Sequence, residues 1–407
     1  MDHDVIGSEP DRAPRRHPAR TVRLPDRLRR HRRTLVALVV VLAVVGVISA
    51  LRAGITGLKP ERGPGAPVAG AQRKPPLAGS VITLVSGQNS MYALASDSRS
   101  GSRPMLLASQ NDGVAWSPLT LPGMPSDPSA VVGWQLTVSG GEDLLAVEKG
   151  DGATVTVGGA GIPFVTRRIV PQRSWVRVPA GREGMVRICP PPRCRTPQLE
   201  YLEPRTGQRG PLQLQPPLTP RSVGVLGGQL WVAGVDRATH RYAMAVSVDD
   251  AGSWTTVALP QVATDPRLTA QVFPVPEGNT AWLLLGRPGK RGALTVTDLW
   301  VVPTPKVGAA HRVRPDGPLD AVTGGVGLKD GRLVVTDGGV LTVLADDGVS
   351  ERAPSSDVGS VGYVLRQPQR GPHLLLVALA LRSDGVAAIA TSLTGNANDW
   401  TIRPVVL

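Results

Sequence analysis

Few side chains in this 407-residue chain stand in patterns that do chemistry. Cys189 and Cys194 are the only cysteines, and they bracket a Pro-Pro-Pro-Arg turn. In an oxidising compartment such a pair closes a small loop as a disulfide, whereas a metal site would want two more ligands, and none is close in sequence. Tyr201 stands between Glu200 and Glu203. The segment reads as an exposed strand or turn, which places the trio at the surface. The histidines make no zinc-binding spacing: His3, His17 and His31 fall in the N-terminal tail, and His240, His311 and His373 stand singly. No nucleophile elbow and no glycine-rich phosphate loop occurs. Asp337-Gly338-Gly339 and Asp346-Asp347-Gly348 read as hairpin turns without the ligand ladder of a calcium loop. These patterns assign no catalytic residue, no cofactor and no metal. Carboxylate pairs for glycoside hydrolysis can still be assembled from distant parts of a chain.

The elements that must position any site are short strands. From Ser80 onward an apolar run, a polar or glycine turn, a second run and a proline-bounded exit recur at roughly 40–50 residues. Such units begin near Ser80, Ala130, Gly181, Ser222, Ala270, Leu319 and Ser360, the third irregular and closing near Pro216-Pro217. The 47 glycines and 39 prolines suit so many turns. The period predicts an all-β fold, a β-propeller of about seven four-stranded blades.

Ser109-Gln-Asn-Asp-Gly-Val-Ala-Trp116 matches the pattern Ser/Thr-x-Asp/Asn-x-Gly-x-x-Trp at Ser109, Asn111, Gly113 and Trp116. A second copy keeps Ser247, Asp249 and Trp254 with its glycine displaced, and a third, ending at Trp400, is degenerate. The acceptor side chain ties its own turn, glycine supplies a positive φ, and the tryptophan folds under the hairpin, so the expected role is structural. Trp134, Trp231, Trp282 and Trp300 lie in apolar runs and read as core, whereas Trp175, beside Arg173 and Arg177, is a candidate for exposure.

With its blade period and Leu-Pro exits, the chain from Ser80 to Leu407 resembles the Asp-box (BNR repeat) propellers of the sialidase-like superfamily, in particular the membrane-anchored actinobacterial type. That resemblance implies the fold more than an activity. A sialidase would add three arginines clamping a carboxylate, a Tyr–Glu nucleophile pair and an acidic Asp. The early Arg-Ile-Pro motif is missing, and Arg168-Ile-Val-Pro171 and Arg177-Val-Pro179 are poor echoes that follow the first Asp-box.

The formal charge of +13 is unevenly placed. Residues 1–33 hold +5 and residues 52–80 hold +4, leaving +4 for everything after. Between them Thr34–Leu51 is uncharged and proline-free, and as a helix it spans about 27 Å. Arginines packed just before such a segment are a topology signal that keeps the N-terminus cytoplasmic, and the distribution speaks against nucleic acid. The expected organisation is a disordered basic tail (1–33), an uncleaved transmembrane helix (34–51), a Pro/Gly-rich spacer (52–79) and an extracytoplasmic propeller (80–407). The expected partners are the lipid bilayer through residues 34–51 and an unknown protein or glycan. The function expected is a binding or scaffolding module, with a sialidase-like glycoside hydrolase or glycan-binding protein as the alternative.

Overall fold

Runs such as Leu230-Trp-Val-Ala233 and Ala281-Trp-Leu-Leu-Leu285 show no polar alternation, and strands of that kind must be covered on both faces. In the computed structural model they are central strands of antiparallel sheets. The model describes residues 76–407 except 78, 88–89, 98–102, 112, 132, 140–143, 151, 181, 183–184, 227, 260–264, 266, 277–278, 290–292, 305–307, 353–357, 371–372 and 383–385. For residues 79–80, 358–370 and 373–382 it describes the backbone alone.

The first sheet is a meander of β1 (Gly79–Ser86), β2 (Met91–Asp97), β3 (Arg103–Ser109) and β4 (Ser117–Leu119). The second follows as β5 (Gln135–Val138), β6 (Leu145–Glu148), β7 (Thr154–Gly159) and β8 (Ile162–Arg168). The third departs from this rule. It contains β9 (Val170–Pro171), β10 (Val186–Cys189), β11 (Gln198–Glu203) and β12 (Gln208–Pro211) in the order β10-β11-β12-β9. Its outer strand thus comes from the chain before it and lies parallel to β12, an arrangement that Trp175 continues by bridging to Leu212. This is the physical reason the third unit looks irregular: the edge of β12 is already filled when the chain reaches Pro216-Pro217.

The fourth sheet is again a meander of β13 (Leu218–Leu226), β14 (Gln229–Asp236), β15 (Tyr242–Ser247) and β16 (Thr255–Ala258). An eight-stranded sheet comprises β17 (Thr269–Pro274), β18 (Thr280–Pro288), β19 (Leu294–Pro303), β20 (His311–Val313), β21 (Val322–Gly327), β22 (Leu333–Asp337), β23 (Val340–Leu344) and β24 (Ser350–Arg352). Among the described residues, the strand ladders of its two halves join at the single pair Leu294↔Val322. The turn Gly338-Gly339 between Asp337 and Val340 has φ of 58° and 85°, the left-handed pair that a two-residue hairpin of matching twist requires. The last sheet holds β25 (Val358–Arg370), β26 (His373–Arg382), β27 (Ala387–Ser392) and β28 (Thr401–Pro404).

First strands meet first strands along β10, β13, β17, β21, β25, β1 and β5 in that order, and the second and third sheets meet, completing the cycle, through Arg187 of β10, which donates to Gln135 of β5 at 3.1 Å, and through Ala146 packed in one cluster with Val186 and Leu199. Apolar side chains seal successive sheets. Tyr92 and Leu106 meet Leu145 and Val147; Trp231 and Met244 meet Val272 and Leu283; Val334 and Val343 meet Ala388 and Ala390. The cycle closes where Leu84, Met91 and Trp116 pack against Ala387, Ile389 and Val405. Sheets stacked face to face in a ring with their first strands inward form a β-propeller, which buries both faces of each sheet.

The closure is also hydrogen-bonded. Leu77 N–H donates to Val405 O at 2.7 Å, and Ala387 N–H donates to Leu77 O at 3.3 Å. Pro76 bridges to Val406, so the fold begins before Ser80, inside the stretch expected to be spacer. Among the described residues no helix is long and apolar enough to cross a membrane. Thr34–Leu51, the basic tail and residues 52–75 lie outside the described residues.

Candidate functional site: a charge cluster on the third sheet

Charged residues enter the propeller interior at β10, β11 and β12. The register sets Arg187 opposite Glu200 and Arg209 opposite Leu202. Side chains alternate along a strand, so Glu200 shares one face with Arg187 and Arg209, while Tyr201 and Glu203 take the other.

The first face meets Glu148 at the end of β6. Glu200 Oε1 accepts from Arg187 Nε at 2.8 Å and from Arg193 Nη2 at 2.6 Å. Arg187 Nη1 donates to Glu148 and, at 3.1 Å, to Gln135 Oε1. Arg209 Nη2 lies 2.6 Å from Glu148 Oε2 without the alignment of a hydrogen bond. Glu148, Glu200 and Arg209 are 7%, 5% and 7% exposed, so these are interior charges. Burial, then the charge on Arg187, push the Arg209 guanidinium below its ordinary range, and Glu148 and Glu200 oppose that shift. Three arginines meet two glutamates, leaving one positive charge in excess. The arrangement clamps the second sheet to the third.

Cys189 and Cys194 form a disulfide with Cα atoms 5.8 Å apart. It closes the loop that delivers Arg193 to Glu200. Both sulfurs and a Glu200 oxygen lie within 4.8 Å of one another, but the sulfurs are bonded to each other and are not free thiolates for a metal. The double variant Cys189→Ser/Cys194→Ser is expected to lose roughly 2 kcal/mol of stability, read as a urea midpoint shift under non-reducing conditions. An unchanged midpoint would mean that the arginine contacts alone hold the loop.

On the opposite face, Tyr201 is fully buried with its ring edge-on to Trp175 at 4.9 Å. Its hydroxyl donates to Glu203 Oε2 at 3.0 Å, and Arg182 pairs with the same carboxylate. Burial, then the charge of Glu203, raise the Tyr201 pKa, so this phenol keeps its proton and is no activated nucleophile. The expected surface placement of Glu200, Tyr201 and Glu203 is therefore wrong. β11 is a central strand of a sheet covered on both sides, and carboxylates are tolerated there because each meets an arginine. Trp175 is likewise not exposed: it is half-buried against Tyr201. The Tyr–Glu pair and the arginine cluster occupy opposite faces of one sheet and cannot converge on one substrate.

No motif marks Glu148, Arg182, Arg187, Arg193 or Arg209 as functional. For Glu148 and Arg187 the local signal is a charge inside an apolar run, as in Leu145-Ala-Val-Glu148 and Val186-Arg-Ile-Cys189; Arg182, Arg193 and Arg209 lie among glycines and prolines and carry none.

The three serine-led turns lie on three other sheets. In the first, Gly113 N–H donates to Ser109 Oγ at 3.0 Å and Ala115 N–H to Asn111 Oδ1 at 2.9 Å, while Trp116 is buried and donates to Gly113 O at 3.1 Å. The second repeats this wiring through Ser247 and Asp249, with Ala251 at φ 66° where the first turn has Gly113. Its Trp254 is only half-buried and donates to Leu214 O at 3.0 Å. The third turn is wired differently: Asp399 reaches back to Ser392 and Thr394, and Trp400 is half-buried.

Burial would raise the Asp249 and Asp399 carboxyls, but hydrogen bonds outweigh it and hold both below the ordinary range, from Ser253 and Ser247 on Asp249 and from Thr394 and Ser392 on Asp399. A lowered folded-state pKa stabilises the fold above the unfolded pKa of about 3.9 and ceases to do so as pH falls through the folded value. Urea midpoints should therefore fall on acidification below about pH 4. The fall should be shallower in Asp249→Asn and Asp399→Asn; equal slopes in all three proteins would remove these turns from the acid response.

No family model and no curated protein matches the sequence. Solved structures of low similarity include a puromycin-hydrolysing peptidase of Mycobacterium tuberculosis at 13% identity and TM-score 0.46, matched over 81% of this chain and 52% of that one. This chain thus spans about half the length of that peptidase. Virginiamycin B lyase of Staphylococcus aureus matches at 11% identity and TM-score 0.35, over 82% and 98% of the two chains. Hsv2 of Kluyveromyces lactis matches at 8% identity and TM-score 0.45, over 80% and 98%. At these identities and scores the likenesses carry no argument about function.

Proposed function

We propose that this chain is a membrane-anchored, extracytoplasmic binding or scaffolding module built on a seven-bladed propeller. The eight-stranded sheet counts as two blades, since one residue pair joins its halves. Residues 34–51 are the single span, with the basic tail in the cytoplasm and the spacer leading to the propeller. The serine-led turns are its Asp-boxes and serve structure. The partner is a protein or a glycan.

One observation carries the preference for binding over glycoside hydrolysis. The arginines that a substrate carboxylate would need are already engaged by Glu148 and Glu200, and the Tyr201–Glu203 pair faces the other way. A hydrolase needs these groups convergent and open to substrate.

Two measurements test this. Alkaline phosphatase fused after Gly79 should be active, and fused after Arg33 inactive; the reverse would overturn the topology. The purified full-length protein should not turn over a fluorogenic sialoside, and turnover lost in Glu203→Gln would restore the hydrolase reading.

A further inference from the structure

We propose that β8, the outer strand of the second sheet, is a docking edge that takes up an extended acidic peptide as a fifth strand. The proposal rests on the binding-module reading and names the chemistry of the ligand.

Outer strands elsewhere are short: β4, β20 and β24 have three residues each, and β16 and β28 have four. Short edges are one way a sheet refuses an added strand. β8 has seven residues, Ile162–Arg168, and ends its sheet. Ile169 N–H donates to Ala153 O at 2.8 Å, which fixes the phase of the antiparallel ladder. Two residues per repeat then point the N–H and C=O of Thr166 away from β7, toward an incoming strand. The ladder ends at Arg168, whose carbonyl lies against Gly207 of the third sheet.

Charge selects the occupant. No acidic residue lies between Asp151 and Glu183, a stretch that holds Arg167, Arg168, Arg173, Arg177 and Arg182. Arg182 is paired with Glu203, and Asp249 lies within the field of Arg177. Arg167 and Arg168 are exposed, with no ion pair among the described residues. Ile162 and Val165, 44% and 47% exposed, add apolar surface on the same strand. A second copy pairing edge to edge would set these arginines against their own kind, which disfavours self-association. An anionic bilayer would answer the charge but not the Thr166 amide. An extended peptide alternating acidic and aliphatic residues answers both.

The test uses the full-length protein in mild detergent and two fluorescein-labelled peptides, EVTVEVE and KVTVKVK, followed by anisotropy. The acidic peptide should bind and the basic one should not. Thr166→Pro removes the outward N–H and also the 3.0 Å contact between the Thr166 and Thr156 hydroxyls, so Thr166→Val, which loses the hydroxyl and keeps the N–H, is its control. Relative to that control Thr166→Pro should weaken binding about tenfold, the worth of one well-made hydrogen bond. The double variant R167E/R168E should weaken it at least as much. Should Thr166→Pro fail to fold, amide exchange at Thr166 in the unsubstituted protein reads the same contact: fast when free, slowed by the acidic peptide. Equal binding of both peptides, no binding, or binding lost in R167E/R168E but not in T166P would overturn the strand-addition site. So would a dimer that T166P dissolves. None of these outcomes bears on topology or hydrolysis, which the preceding experiments decide separately.

Discussion

Glu200→Ala is expected to lower the stability of the propeller by about 3–5 kcal/mol, the range for breaking a buried ion pair on one side. Glu200 Oε1 holds Arg187 Nε at 2.8 Å and Arg193 Nη2 at 2.6 Å, and Arg209 Nε lies 3.7 Å away. Without the carboxylate, Arg187 and Arg209 stay interior with only Glu148 between them. Alanine at this position restores no partner, and water reaches the site poorly because Glu200 is 5% exposed. The exposed pair Arg332–Asp330, at 2.6 Å, is the internal control: removing Asp330 should cost less than about 1 kcal/mol. Urea denaturation at constant m reads both values. A second variant separates charge from packing. Replacing Glu200 and Arg187 together with leucine and methionine should recover much of the loss, because an apolar pair leaves less charge unpaired. Equal destabilisation by Glu200→Ala and Asp330→Ala would show that the cluster contributes no more than a surface contact.

Trp282→Ala should cost a similar amount, about 3–5 kcal/mol, by a different mechanism. Trp282 is fully buried on β18, in one cluster with Leu294, Leu299, Leu333 and Val335. That cluster spans the two halves of the eight-stranded sheet, so the void opens at the joint between them. The indole N–H also donates to Gly331 O at 2.8 Å. Trp282→Phe keeps most of the apolar area and removes that bond, so it should cost only about 1–2 kcal/mol. Trp254→Ala is the contrast, since its ring is half-exposed. Comparable melting shifts for Trp254→Ala and Trp282→Ala would refute the claim that the sheet-to-sheet interior carries the stability.

Local chemistry made much of the fold legible. Unbroken apolar runs marked the covered central strands because a strand with no polar side has no face to show water. Asp337-Gly338-Gly339 marked a hairpin because only glycine takes two successive positive φ angles without strain. Cys189 and Cys194 marked a bridge because only four residues, three of them prolines, lie between them, and the pair closes a small loop.

Other features depend on partners remote in sequence. Alternation along Gln198–Glu203 says that Glu200 and Tyr201 face opposite ways, but not that both faces are covered. That depends on Glu148, Arg182 and Trp175, which arrive from other strands. The parallel docking of Val170–Pro171 on β12 and the pairing of Leu77 with Val405 likewise have no local signature. The sequence by itself therefore determined the all-β class, the strand rhythm and the chemistry of the turns, all set by side chains a few residues apart. The tertiary structure alone decided the register of Arg187, Glu200 and Arg209, the borrowed outer strand of the third sheet and the burial of the carboxylates. Hydrogen bonds between strands are indifferent to sequence separation, and a charge becomes interior only when another sheet closes over it.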